Sequence, residues 1–160
     1  MRTLLTKIPA LVFISSLFAF SQHAHSHCQI PCGIYDDHAR YLSMLEDAST
    51  VEKATDQIIA LSNDIDSKQT STPIAQNYNQ LVRWVTNKES HAEKIISTMT
   101  NYFLTQRVKP TQEDYLDRLS KHHAVILAAM KAKQNASITA SNALKVAIQN
   151  LATYYPKHEH

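Results

Sequence analysis

The sequence predicts an all-α fold: an up-down bundle of four helices, preceded by a short cysteine-bearing segment and a cleavable leader. Three observations carry this. The 160-residue chain holds a single glycine, too few for the tight hairpin turns of a β protein. No long alternation of apolar and polar residues suggests strands. Apolar residues instead recur at spacings of three and four along several stretches parted by short polar or proline-containing breaks.

The leader occupies residues 1–26. Met1 to Lys7 carry Arg2 and Lys7 and no acid, and Ile8 to Phe20 is an almost wholly apolar run, about seven residues short of a bilayer span. Ala24 and Ser26 supply the small-x-small pattern of a signal-peptidase site, and Ala19-Phe20-Ser21 supplies a second one. Cleavage after Ser26 makes His27 the new terminus; cleavage after Ser21 makes it Gln22. The expected organisation is a signal peptide over 1–26, a hook over 27–35 and a bundle domain over 36–160. Such a protein is exported, to a periplasm or the medium, and keeps no stable membrane association once cleaved. Removing 1–26 leaves 14 basic against 14 acidic side chains, so no basic face recommends a nucleic acid partner. The remaining 134 residues make one domain with room for a core.

The first helix is expected from Asp36 or Asp37 to about Ser62, its first-turn acids suiting the helix dipole and Met44, Ala48, Val51, Ile58 and Leu61 its apolar positions. The polar run Asn63 to Ser71 reads as a loop, and Thr72-Pro73 as an N-cap followed by first-turn proline. The second helix spans about 73–107, with a seam of Ile74, Tyr78, Leu81, Val85, Lys88, Ala92, Ile95, Met99 and Tyr102. Lys109-Pro110 ends it. A third helix is expected over 112–134 through Leu116, Leu119, His123, Ile126 and Met130. A fourth is expected over 137–155 through Ala140, Leu144, Ala147, Leu151 and Tyr154. Trp84 and Met99 read as core.

The chemistry concentrates in His27-Cys28-Gln29-Ile30-Pro31-Cys32-Gly33-Ile34-Tyr35, which holds both cysteines and the only glycine. Two cysteines four apart in an exported protein admit a structural disulfide. Zinc would want four side-chain ligands, of which only two thiols and His27 are local. With His27 at the terminus, a free amine, the Cys28 amide nitrogen and two thiolates can lie in one plane, which suits nickel(II) or copper(II). The donors would be the His27 amine, the Cys28 amide nitrogen, Cys28 Sγ and Cys32 Sγ, with the His27 imidazole in reach of an axial position. Anionic amide and thiolate donors stabilise a higher oxidation state, so nickel held there could cycle between +2 and +3. Pro31 and Gly33 allow so short a segment to bend.

His-Cys-x-x-Pro-Cys-Gly-x-Tyr at a processed terminus resembles nickel superoxide dismutase, over the whole nonapeptide and more loosely over the helical body, including Asn101-Tyr102-Phe103. The resemblance implies disproportionation of superoxide to dioxygen and hydrogen peroxide by a Ni(II)/Ni(III) cycle in a homohexamer of four-helix bundles. It implies that His27, Cys28 and Cys32 bind the nickel ion and that Ile30-Pro31 is cis. It also implies that Tyr35 stands over the open face of the metal and that Tyr102 joins it in binding water or the incoming anion. Tyr102 read from its helix position alone is equally a core aromatic. The family orients its axial histidine through a glutamate and an arginine. Here His91 stands at the arginine position, and Glu46 and Glu89 are the candidate carboxylates. A non-catalytic nickel or copper carrier using the same hook is the alternative from another class.

The other histidines read more plainly. His123 falls on the apolar seam of the third helix as a core histidine, with His122 at its flank. His158 and His160 belong to a solvated tail. Asn135-Ala136-Ser137 is a glycosylation sequon by pattern.

Overall fold

The computed structural model describes residues 36–67 and 72–157. The signal peptide, the hook with His27, Cys28, Cys32 and Tyr35, part of the 63–71 segment and the histidines of the tail lie outside the described residues. Within them the chain is helical and contains no strand.

Helix α1, Asp37–Ser67, starts where Asp36 caps it: the Asp36 carboxylate accepts from the Ala39 amide at 3.1 Å. It runs five residues past the expected end at Ser62. The polar run after Ser62 contains no proline or glycine to stop a helix, and polarity alone does not. Its buried stripe is Tyr41, Met44, Ala48, Val51, Ala54, Thr55 and Ile58, while Leu61 is only half-buried. The Thr55 hydroxyl is satisfied by donating to the Val51 carbonyl at 2.8 Å.

Helix α2, Ile74–Thr98, is capped by Pro73 itself rather than by Thr72, the Pro73 carbonyl accepting from Gln76 and Asn77. The chain then widens into a π-helical turn over Met99–Arg107, where the expected α-helix would have continued unchanged. Lys109 and Pro110 lie just past its end. A turn in which the Lys109 amide donates to the Gln112 side chain at 2.8 Å leads to α3, Tyr115–Gln134, three residues later than its expected start. Ser137 caps α4, Ile138–Gln149, its hydroxyl accepting from the Ala140 amide. The fourth helix ends there instead of at Tyr155. The chain turns through a 3₁₀ segment, Ala152–Tyr154, which leaves Tyr154 half-buried and puts Tyr155 in the core.

Each helix packs on the next, and α4 closes the ring against α1, as an up-down bundle requires. The axis is filled by Met44, Ala48 and Val51 from α1, Ala92 and Ile95 from α2, Val125 and Ala129 from α3, and Leu144 and Ile148 from α4. At 1.5 Å per residue, α1 is about 46 Å long and α4 about 18 Å. The far halves of α1 and α2 therefore overhang the bundle, which leaves Ile74, Tyr78 and Val85 exposed where a seam was expected. Trp84, expected in the core, is half-buried for the same reason.

Lys88 marks the edge of the four-helix region. It is buried, and its ammonium donates to the carbonyls of Ala132 at 2.9 Å and of Lys133, two acceptors at the C-terminus of α3. A cation there satisfies carbonyls that have no intrahelical partner and meets the negative end of the dipole. Burial pushes its pKa down, against the Glu89 charge.

In α3 the buried face is His122, Val125, Ala129 and Ala132. Most of the expected seam lies on the other side: Leu116 is 77% exposed, Met130 43%, and Leu119 and His123 face solvent, while Ile126 packs half-buried against the core. Small side chains bring α3 close to the axis, and the larger apolar residues are left outside. His122, not His123, is the core histidine. Its Nδ1–H donates to the Arg118 carbonyl at 2.6 Å, which leaves Nε2 to accept from the Tyr155 hydroxyl at 2.5 Å. The Tyr155 carbonyl in turn accepts from His38 of α1 at 2.8 Å, so one residue pins the C-terminal segment to two helices.

Burial lowers the His122 pKa, outweighing the hydrogen bond to Arg118. The folded chain thus holds His122 neutral where an unfolded histidine, with its pKa near ~6.5, takes up a proton. This contribution to stability is complete above that value and is lost as pH falls through it. Urea unfolding midpoints are expected to drop between pH 7 and pH 5, and the drop is expected to be smaller in His122→Gln. Equal slopes for the two proteins would contradict the assignment.

Candidate active site and its buried tyrosine cluster

Tyr102, from the π-helical turn, is the one residue of the sequence-predicted site that the described structure contains. It is 1% exposed. Its hydroxyl donates to Asp37 Oδ1, in the first turn of α1, and accepts from Arg107 Nη2 at 2.8 Å. Arg107 Nε meets both Asp37 oxygens at 2.7 Å. The guanidinium of Arg40 lies 4.6 Å from the centre of the Tyr102 ring and that of Arg107 4.9 Å from it, both within cation–π range. Beside Arg40 a cavity of about 210 Å³ opens between Asp36, Ala39, Ser43 and Thr98.

The local backbone explains the cluster. In an α-helix, side chains five apart point roughly 140° away from each other. A π turn closes its hydrogen bonds over five residues, as Val108 N to the Phe103 carbonyl does at 3.1 Å, and brings Tyr102 and Arg107 to the same side. The same turn sends Phe103 into the core, 4.4 Å from the Tyr155 ring centre. Burial raises the pKa of Tyr102, and the hydrogen bond and charge of Asp37 raise it further, against the opposing effect of Arg107. For Arg107, burial works against the charge, but Asp37 more than offsets it and raises the pKa.

Asp37, Arg40 and Arg107 escape a reading by motif. Asp37 looks like an ordinary first-turn acid, and Arg107 becomes a neighbour of Tyr102 only through a π turn that no sequence period announces. His91, placed by the resemblance at an arginine position, pairs across α1 and α2 with Asp47 at 2.5 Å. The candidate carboxylates Glu46 and Glu89 are both exposed, and neither is its partner.

Among the described residues no group of three or more His, Cys, Asp and Glu side chains could hold a metal ion. Both cysteines of the chain fall outside those residues, so thiolate donors can come only from Cys28 and Cys32. That donor set, with the histidine next to it, fits nickel.

A helical bundle whose first helix directly follows a segment holding both thiols of the chain and a histidine has the make-up of a helical metalloprotein. The sequence pattern of the family described as nickel-containing superoxide dismutase matches residues 22–159, hook included, and the chain belongs to that family. It is an oxidoreductase that uses nickel to convert superoxide to dioxygen and hydrogen peroxide through a Ni(II)/Ni(III) cycle. Comparison with curated proteins and with solved structures gives no match.

Proposed function

We propose that the dismutase site of this chain is the hook His27–Tyr35, working from a processed N-terminus and completed by Tyr102. The observation that carries this is the placement of both cysteines in a single nine-residue segment, with no competing metal-binding cluster among the described residues. Nickel supplies the one-electron chemistry that superoxide needs at both steps. The chain would hold it through the His27 amine and imidazole, the Cys28 amide nitrogen, and Sγ of Cys28 and Cys32. Tyr35, at the end of the hook, would limit access to small anions. Residues 1–26 direct export to a periplasm or the medium, where the enzyme meets superoxide without nucleic acid or membrane partners. No helix among the described residues is long and apolar enough to cross a membrane.

The working assembly is a homohexamer by family likeness. The apolar stripe on the outside of α3 supports burial between copies: Leu116, Leu119, Leu127 and Met130 are exposed on a single chain. Light scattering is expected to give a multiple of the chain mass, reduced by Leu127→Glu. A fully active wild-type monomer would contradict it.

The terminus gives the sharpest check. One added Ala ahead of His27 turns the donor amine into an amide, so nickel content and activity should both fall to background while circular dichroism stays helical. Cys28→Ser and Cys32→Ser should do the same, because an alcohol cannot replace a thiolate in setting the potential. His27→Ala should keep nickel and lose turnover. Edman sequencing that finds Gln22 at the terminus of active enzyme would overturn the ligand set.

A further inference from the structure

Asp37 and Arg107 are hydrogen-bonded both to Tyr102 and to each other, across α1 and the π-helical turn. Arg107 reaches the cluster only because the chain leaves α geometry for nine residues at Met99–Arg107, and π turns gather at functional sites. Asp37 follows Tyr35 by two residues, a covalent span of at most about 7 Å. The carboxylate that holds the Tyr102 hydroxyl thus stands, in sequence, two residues past the last residue of the hook. Arg40, its guanidinium 4.6 Å from the ring centre, places a second cation beside Arg107, with the carboxylates of Asp37 and Asp36 at the same end of α1.

We propose that Asp37 and Arg107 are positioning residues of the dismutase: through the π turn they fix the Tyr102 hydroxyl in one orientation relative to the first turn of α1. This rests on the reading that Tyr102 completes the site. The hydroxyl has one proton, and that proton goes to Asp37, while Arg107 donates to the oxygen. Rotation of the O–H is thereby removed, and the ring is held from two elements at once. Arg107 uses Nε and Nη2 in this work.

The test compares nickel-loaded Asp37→Asn, Arg107→Gln, Arg107→Lys and Tyr102→Phe with the parent enzyme. Two readouts are taken: steady-state kinetics, and the ionisation of Tyr102 by ultraviolet titration with Tyr102→Phe as the blank. Asp37→Asn should move that ionisation to lower pH and Arg107→Gln to higher pH. Both should lower kcat/KM roughly ten- to a hundredfold at unchanged nickel content, with Arg107→Lys recovering part of the loss. Asp37→Asn is the decisive variant. It makes the cluster more positive, so attraction of the anion alone predicts a faster enzyme, whereas positioning predicts a slower one. Variants that lose nickel, or whose Tyr102 ionisations move in the same direction, would show a mere brace and overturn the proposal. Parent-like kinetics in Asp37→Asn and Arg107→Gln, with Tyr102→Phe impaired, would overturn it and leave the role of Tyr102 standing. A fully active Tyr102→Phe would overturn both.

Discussion

The wide turn at the end of α2 is the constraint around which the site end of the molecule is arranged. Over Met99–Arg107 the backbone changes its hydrogen-bonding step, and two consecutive aromatic side chains leave in different directions. Tyr102 goes to Asp37 and Arg107; Phe103 goes to His122 and Tyr155, its ring packed edge-on to that of Tyr102. The first helix, the third helix and the C-terminal segment thereby meet on one short stretch of chain. An uninterrupted α-helix would carry Arg107 round to another face and leave Asp37 without its bidentate partner.

The polar groups in this region are matched to one another rather than hidden. His122 stays neutral because burial opposes its protonation, outweighing its hydrogen bond to the Arg118 carbonyl, and both its nitrogens still find a partner. Burial also drives the pKa of Tyr155 well above that of a free phenol. The histidine–tyrosine pair is therefore uncharged near neutral pH, as an apolar surrounding demands. The tyrosine–aspartate–arginine cluster is charged, and it sits at the bundle end where part of it meets water. One end of the fold holds a dry contact for stability beside a charged one for chemistry.

How much of this was legible in the sequence depends on the range of the interaction. The four helices could be read from apolar spacing, and the hook from nine consecutive residues, because both signals are local. The face that α3 presents could not. It carries two apolar stripes, and the one with larger residues, Leu116 to Met130, reads as the stronger seam. Packing chose the other, because Ala129 and Ala132 let α3 approach its neighbours closely. Lys88 sits on the predicted seam and is buried there, yet its purpose depends on carbonyls 44 and 45 residues away. The partner of His91 was missed in the same way: Asp47 becomes its neighbour only when α1 and α2 lie antiparallel. The π turn has no periodicity of its own to betray it.

The unequal helix lengths divide the molecule mechanically. Lys88 stands where α3 ends, and beyond it α1 and α2 continue as a two-helix cantilever whose apolar residues Tyr78 and Val82 face outward. That pair is held by Ala54, Thr55, Ile58 and Asn77 between its helices, whereas the opposite end is clamped by rings and ion pairs from three helices and the C-terminal segment. The overhang begins about 20 Å along α2 from Tyr102 by the α-helical rise, so the two-helix part of the molecule lies well apart from the end that carries the tyrosine cluster.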